Sequence, residues 1–249
     1  MRHSTLIYGV RPIIEAINSG AVFEKVYLQN TVAGPQLKDL KSLLNKNAIA
    51  YNEVPQIKLD KLVQFKNHQG AVGLISPVGF QEVETILPEI LASGRAPFFL
   101  VLDRITDVRN FGAIARTAEC AGVDAIIVPI KESAAVNEDA IKTSAGALLK
   151  IPVCKTASLF KTVKFLIDSG IKVVGASEKA ETVVYNADLT GPLAIVLGSE
   201  EDGISRELLK LVGTLVKIPL QKEIASLNVS VAAGITMFEA VRQNSLKDK

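Results

Sequence analysis

The stretch Leu193–Ser205 reads LAIVLGSEEDGIS, and the rest of the chain is best interpreted outward from it. Its first five residues, Leu193–Leu197, form a continuous apolar run that stops at Gly198. Such a run, bounded by a turn-forming residue, is typical of a strand that is buried on both faces of a parallel sheet. The polar segment Gly198–Gly203 has a glycine at each end, so a tight loop is expected at the end of this strand.

A similar pattern follows in residues 214–243, TLVKIPLQKEIASLNVSVAAGITMFEAVRQ. The apolar run Leu215–Ile218 predicts a second strand, which ends before Pro219. Ser226 and Asn228 are candidate caps of a long helix. The apolar residues that follow at helical spacing are Leu227, Val231, Ile235, Phe238 and Val241. Strand ends, loops and a helix start are therefore expected together, and open α/β sheets bind ligands at such places.

Three blocks of residues, taken in order, resemble the SpoU-type ribose 2′-O-methyltransferases of the SPOUT superfamily. In that family an Asn and an Arg of one helix are followed by a Gly-x-Glu loop and then by an Ile-Pro…Ser-Leu-Asn-x-Ser segment. The matching residues here are Asn110-Phe111-Gly112 with Arg116-Thr117-Ala118, Gly198-Ser199-Glu200, and Ile218-Pro219-Leu220 with Ser226-Leu227-Asn228-Val229-Ser230. The N-terminal segments Tyr8-Gly9-Val10 and Val22–Leu28 are similar to the substrate-binding domain of ribosomal RNA members of the family.

This resemblance implies an activity, a cofactor and an assembly. It implies methyl transfer from S-adenosylmethionine to a ribose 2′-hydroxyl of structured RNA, with a 23S ribosomal RNA guanosine as the first candidate. Transfer RNA as substrate, or a non-catalytic RNA-binding module on the same fold, remain alternatives. The resemblance alone implies a C-terminal trefoil knot and a homodimer through the C-terminal domain.

The resemblance also implies the site residues. Those assigned to catalysis are Arg116, Asn110, Glu200, Ser226 and Asn228. Those assigned to the cofactor are Leu197, Gly198, Ile218, Leu220, Ser226 and Leu227. Since a guanidinium stays protonated, Arg116 is expected to bind phosphate and stabilise a developing alkoxide, with Glu200 as its anchor. Asn110 also fits a plain helix N-cap. No metal is expected.

Two features of the loops qualify this interpretation. The segment Gly198–Gly203 matches neither a dinucleotide-binding glycine pattern nor a P-loop, and two glycines by themselves can simply ease a turn. Gln221-Lys222-Glu223 stands where the family often has glycine, which bears on the conformation of the cofactor loop.

The pattern of elements predicts two α/β domains. Residues 1–76 read as a small RNA-binding domain, with a first helix from Arg11 to Ile17, strands at Lys25–Leu28, 48–54 and 71–75, and helices at 35–46 and 59–65. Residues 77–96 read as a linker that contains a short stretch with a helical pattern, 83–91. Residues 97–249 alternate strands with helices, which predicts a mainly parallel sheet covered on both faces.

Charge and composition support this division. Residues 1–80 contain nine Lys or Arg against five Asp or Glu, whereas residues 97–249 contain eighteen of each. The basic excess assigns substrate RNA binding to the N-terminal part. With 5% aromatic residues and no Trp, a stacking platform is not the main means of reading bases. The absence of a long apolar span predicts a cytoplasmic protein with no membrane partner, and Cys120 and Cys154 are expected to be buried thiols.

Overall fold

The computed structural model describes residues 5–30, 34–221 and 226–247. The chain forms two compact units. The first contains residues up to Gly79 together with the short segment Val136–Glu138, and the second contains Phe80–Ala135 and the residues from Asp139 onward.

The described part of the first unit contains four strands and three helices. Their bounds are β1 Thr5–Tyr8, α1 Val10–Asn18, β2 Phe23–Gln29, α2 Pro35–Lys46, β3 Tyr51–Val54, α3 Gln56–Leu62 and β4 Ala71–Ile75. The strands lie in the order β1-β4-β2-β3, and β4 runs antiparallel to both of its neighbours. Ile13, Leu28 and Leu40 form part of its apolar core and are fully buried.

Several predicted boundaries in the first unit were wrong, most clearly those of β3 and α3. The strand begins at Tyr51 rather than Ala48, because Ala48 adopts a left-handed backbone (φ 53°) in the turn after α2. Helix α3 begins at Gln56 rather than Leu59, directly after the extended residue Pro55, and it ends at Leu62. Proline readily takes an extended conformation immediately before a helix, so the helix starts one turn earlier than the apolar spacing suggests.

The described part of the second unit is built on eight strands. The bounds are β5 Phe80–Gln81, α4 Val83–Ala92, β6 Phe98–Leu102, α5 Val108–Cys120, β7 Ala125–Pro129, α6 Glu138–Thr143, β8 Val153–Thr156, α7 Leu159–Asp168, β9 Lys172–Ala176, β10 Thr182–Val183, β11 Leu193–Leu197, α8 Arg206–Leu209, β12 Thr214–Lys217 and α9 Val229–Lys247. The strand order is β10-β12-β9-β11-β6-β7-β8-β5, and each neighbouring pair is parallel. The prediction of a mainly parallel sheet is confirmed.

The central strands of this sheet are buried on both faces. In β6, Phe99 and Val101 join a core cluster with residues of α4, α7 and α8. Leu100 and Leu102 alternate with them, point to the opposite face, and are also buried. Every residue of β11 is buried, as its continuous apolar run predicted. Within the described ranges, no helix combines the length and apolarity needed to cross a membrane.

The stretch expected to be a linker, residues 77–96, contributes to this sheet. It contains β5, which pairs with β8, and the helix α4. Val83, Ile86, Leu87 and Ile90 of α4 are buried in the core cluster together with Phe99. The predicted helical stretch is therefore a packed helix, because its apolar residues recur at i, i+3 and i+4 and cover one side of the sheet.

The two cysteines differ in environment. Cys154 is buried in β8, and burial, aided by Glu84 and Glu82, raises the pKa of its thiol to about 12. Cys120 at the end of α5 is exposed, so the expectation that both thiols are buried was wrong for this residue. Cys120 comes two positions after Ala118, the last buried residue of α5, and lies on the side of the helix that faces solvent.

Candidate active site

A cleft lies at the carboxyl ends of three neighbouring strands, β9, β11 and β12. Its volume is about 350 Å³. All six residues predicted to bind the cofactor line it: Leu197, Gly198, Ile218, Leu220, Ser226 and Leu227. Parallel strands end at one edge of a sheet, and the order β12-β9-β11 brings these ends together. Lys222 and Glu223, in the loop flagged from sequence, lie outside the described residues.

The walls of the cleft are partly apolar and partly main chain. Leu220 and Leu227 are 39% and 37% exposed, although both are leucines, because they face the cleft rather than the core. Ser177 and Glu178, just after β9, also line the cleft and were not predicted. Nothing in the sequence shows that β9 lies between β11 and β12, so their proximity could not be read from it.

The ends of the loop after β11 are joined by main-chain hydrogen bonds, and the conformation of the loop depends on two glycines. The main-chain groups of Ser199 and Gly203 bond to each other in both directions, at 3.2 and 2.9 Å. Gly203 has φ 70°, a conformation that favours glycine. At Gly198 the constraint is steric, since a Cβ atom there would lie 2.0 Å from the carbonyl carbon of Gly203. Each glycine is therefore required for a different reason.

Two residues at the end of β6 hold this loop in place. Asp103 is 4% exposed, and its Oδ2 accepts a 2.6 Å hydrogen bond from the main-chain N–H of Ser205. Arg104 donates to Asp202 Oδ2 at 3.1 Å and to the carbonyl oxygen of Gly203 at 3.0 Å. The sequence prediction missed this role for both residues, because their partners lie about a hundred residues away in the chain.

Three polar residues from the three sequence blocks meet beside the cleft. Glu200 Oε1 accepts from Asn110 Nδ2 at 3.0 Å and from Asn228 Nδ2 at 2.9 Å. The Nδ2 group of Asn228 also donates to Asn110 Oδ1 at 3.0 Å. These residues, called here the Asn110–Glu200–Asn228 cluster, join the starts of α5 and α9 to the loop after β11.

The helix starts that carry this cluster are capped differently from each other. Asn228 Oδ1 accepts from the main-chain N–H of Ser230 at 2.9 Å, which agrees with its prediction as a cap of α9. Asn110, by contrast, is not the cap of α5. Asp107 has that position, and its Oδ1 accepts from the N–H of Asn110 at 2.7 Å. With its main chain already in the helix, Asn110 has its side chain available for Glu200 and Asn228.

Arg116 lies apart from this cluster. It follows Asn110 by six helical residues, so it is about 9 Å further along α5 and rotated by about 240°. The side chain is exposed, is not among the residues that line the cleft, and makes no hydrogen bond or ion pair within the described parts of the chain. The expectation that Glu200 anchors Arg116 was therefore wrong, because the two face different directions.

A second cavity, of about 360 Å³, adjoins the cleft. The two share Ser199, Glu200 and Val229, while Asn110 lines only the second cavity and Asn228 only the cleft. The Asn110–Glu200–Asn228 cluster thus lies between two spaces. Among the described residues there is no group of three or more His, Cys, Asp or Glu side chains that could hold a metal ion.

Comparison with known proteins identifies the family. The model of the SpoU rRNA Methylase family matches residues 97–238. The chain belongs to this family. A second model, RNA 2′-O ribose methyltransferase substrate binding, matches residues 6–81. The resemblance drawn from the three sequence blocks is confirmed.

Several relatives of this SpoU family member match over nearly its whole length. The 23S rRNA (guanosine-2′-O-)-methyltransferase RlmB of Photorhabdus laumondii is 36% identical, covering 97% of this chain and 99% of the relative. A putative TrmH family tRNA/rRNA methyltransferase of Staphylococcus saprophyticus is 34% identical, with 98% of each covered. The solved structure of the SpoU methyltransferase AviRb from Streptomyces viridochromogenes is 25% identical and has a TM-score of 0.62, covering 98% of this chain and 91% of that one.

Proposed function

We propose that this protein transfers a methyl group from S-adenosylmethionine to the ribose 2′-hydroxyl of a guanosine in 23S ribosomal RNA. The observation that carries this proposal is the Asn110–Glu200–Asn228 cluster, which lies between two adjoining cavities. One cavity suits a methyl donor and the other an acceptor. RlmB enzymes of the same length, named as 23S rRNA guanosine-2′-O-methyltransferases, are 35–36% identical.

The cleft fits S-adenosylmethionine in size and in lining. Its volume of about 350 Å³ lies within the range of small-molecule sites. Ile218, Leu220 and Leu227 offer apolar surface for the adenine ring, while the main chain at Gly198 and the hydroxyl of Ser226 offer polar groups. Leu197 completes the assigned set at the end of β11. The cofactor would supply an electrophilic methyl group, and the chain's own residues have to place the acceptor hydroxyl and stabilise its charge as its proton leaves.

The residues beside the cleft can supply these functions. Glu200 Oε1 accepts from both amide side chains, so Asn110 and Asn228 fix its position at the boundary of the two cavities. Held in this way, the cluster positions the acceptor ribose, which lowers the entropic cost of alignment. Arg116 lies apart from this cluster within one chain, and the family resemblance assigns it to binding an RNA phosphate and stabilising the developing alkoxide. The hydroxyl proton leaves to phosphate or water.

Methyl transfer from labelled S-adenosylmethionine to unmodified RNA transcripts tests this function. We expect label in 23S ribosomal RNA, recovered after nuclease digestion as 2′-O-methylguanosine, and none in transfer RNA. Label in transfer RNA alone would favour the second candidate, which the Staphylococcus relative named for both RNAs supports. No label in either RNA, with correctly folded protein, would reject the methyltransferase proposal.

The remaining features of the proposal concern organisation. Residues 1–76 act as the RNA-binding domain and residues 97–249 form the catalytic domain of a cytoplasmic protein. In the intervening stretch 77–96, β5 and α4 pack with the catalytic domain. Positions 1–80 contain nine basic residues against five acidic ones, and this basic excess supports the assignment of RNA binding to residues 1–76. A trefoil knot at the C-terminal end is proposed on family membership alone.

We also propose that the protein is a homodimer formed through α9. Val231, Phe238 and Leu246 of this helix are 49%, 47% and 58% exposed, which leaves large apolar surface toward solvent. Gly234, between the first two, packs near Thr117 of α5, where an added Cβ would lie 3.5 Å from Thr117 Cγ2. A partner that covers this surface would therefore lie beside Arg116.

The substitution Phe238→Glu tests the assembly. We expect wild-type protein to sediment as a dimer at micromolar concentration and the variant as a folded monomer, because a carboxylate in an apolar interface is costly to desolvate. Phe160→Glu is the matched control, since Phe160 of α7 is also a partly exposed phenylalanine, at 36%. The control should remain dimeric. A monomeric wild type would contradict the proposal.

A further inference from the structure

An exposed aromatic ring lies beside a polar pocket in the first unit. Phe65 is 76% exposed, the largest exposed fraction among the large hydrophobic residues described. It lines a cavity of about 470 Å³ together with amide side chains, one lysine, Asp60 and His68. The polar lining residues that bear on the argument are Gln29, Gln56, Lys66, Asn67 and Gln69. A ring this exposed contributes little to the core, so its position calls for another explanation.

The backbone at this ring is held in an unfavourable conformation. Gln64 and Phe65 have φ of 53° and 60°, in the left-handed region that non-glycine residues seldom adopt. The conformation is fixed by a 2.7 Å hydrogen bond from the N–H of Phe65 to the carbonyl oxygen of Asp60. Strain that persists at an exposed position is a reason to look for a binding role.

The pocket has a rigid floor. His68 is 5% exposed, and its Nδ1 accepts from the N–H of Gly70 at 3.0 Å. Nδ1 therefore carries no proton, and Nε2 donates to Asp60 Oδ1 at 3.0 Å. These bonds fix the loop between α3 and β4 at both of its ends. The side chains of Asn67 and Gln69 are left exposed at the edge of the pocket.

We propose that this pocket binds one unpaired nucleotide of the substrate RNA, and this inference rests on the proposed function. The base stacks on Phe65, and its edge bonds to the amide groups of Gln56, Asn67 and Gln69. An amide side chain carries both donors and an acceptor, so it can pair with a base edge. Proteins read RNA sequence mainly at unstacked bases, through aromatic stacking and such edge contacts.

The surrounding charge fits a nucleic acid better than a protein partner of mixed charge. Lys58, Lys61 and Lys66 lie within α3 and the loop that follows it, against the single carboxylate of Asp60. Lys66 itself lines the pocket and can meet the phosphate of the bound nucleotide. The chain has a low aromatic content and does not provide an extended stacking surface. A site in which a single ring stacks on a single base agrees with this composition.

The substitution Phe65→Ala in the full-length protein tests the inference. Filter binding of an unmodified 23S ribosomal RNA transcript, without cofactor, should show a Kd raised by roughly 5- to 100-fold, as for loss of one stacked base. Phe65→Trp should bind as wild type. Ile57→Ala is the matched control, because Ile57 of α3 is 63% exposed but is not part of the pocket lining, and its Kd should not change. For a fully paired RNA duplex the loss should disappear.

The outcomes separate this inference from the proposed function. The loss in Phe65→Ala should appear in the KM for RNA, because the ring is proposed to bind a base and takes no part in the chemistry. If the wild type methylates RNA while Phe65→Ala binds the transcript with unchanged Kd, only the assignment of the pocket to RNA is overturned. The exposed ring would then be assigned to a contact with a protein. An equal loss in Ile57→Ala also overturns it. If wild type neither binds nor methylates RNA, the proposed function fails first.

Discussion

Replacing Arg116 with alanine is expected to lower methyl transfer by about 10²–10³-fold at saturating RNA and cofactor. Arg116 is exposed and unpaired within the described residues, so the substitution should leave the fold and cofactor binding unchanged. The loss arises because the guanidinium is proposed to hold an RNA phosphate and stabilise the alkoxide, and both interactions matter most in the transition state. Single-turnover kinetics with excess enzyme measures this directly.

Two further variants sharpen the test of Arg116. Lysine at this position keeps the charge but not the planar fork that can contact phosphate and hydroxyl together, so Arg116→Lys should recover little activity. Arg206→Ala is the matched control, because Arg206 of α8 is another exposed arginine of the same unit. Wild-type turnover in Arg116→Ala would show that the proposed catalytic centre is misplaced.

The second large effect is expected at Gly198. A Cβ atom there would lie 2.0 Å from the carbonyl carbon of Gly203 and 2.1 Å from the nitrogen of Ile204, so Gly198→Ala has to open the loop after β11. Opening separates Glu200 from its partners and removes one wall of the cleft. We expect cofactor binding below detection by calorimetry and a destabilisation of about 1–3 kcal/mol, as for other overpacked sites.

Gly213→Ala is the appropriate control for that substitution. Gly213 precedes β12 in the same unit, and the nearest atom to an added Cβ there is 3.7 Å away, which is ordinary contact. This variant should bind cofactor and melt like the wild type. Normal cofactor affinity in Gly198→Ala would mean that the cleft at β11 is not the cofactor site.

The sequence correctly predicted those elements in which burial determines the pattern of apolar residues. Leu193–Leu197 was placed correctly because a strand covered on both faces has to be apolar at each position. Short strands such as β5 and β10 were missed, since two residues carry no periodicity. Asn110 was taken for a helix cap because Asn and Asp are about equally good caps, and only the structure shows that Asp107 takes the position.

Prediction of the site was limited by strand order and by helix geometry. The family blocks identified six of the residues that line the cleft as cofactor-binding, but they did not identify Ser177 and Glu178. Those two reach the cleft only because β9 lies between β11 and β12, which no local pattern encodes. The partner of Glu200 was also mispredicted, because family membership groups Arg116 with Glu200 without giving the rotation between Asn110 and Arg116 along α5.

The position of β11 beside β6 also affects when the protein can fold during synthesis. Phe98 pairs with Leu193, so the two central strands of the large sheet emerge 95 residues apart. At a synthesis rate of about 5–20 residues per second, β6 is made roughly 5–20 s before β11, the strand that pairs with it. The first sheet ends at Ile75 and can form while the rest is being translated. The cleft, which needs Asn228 as well, becomes available only when nearly the entire chain has left the ribosome.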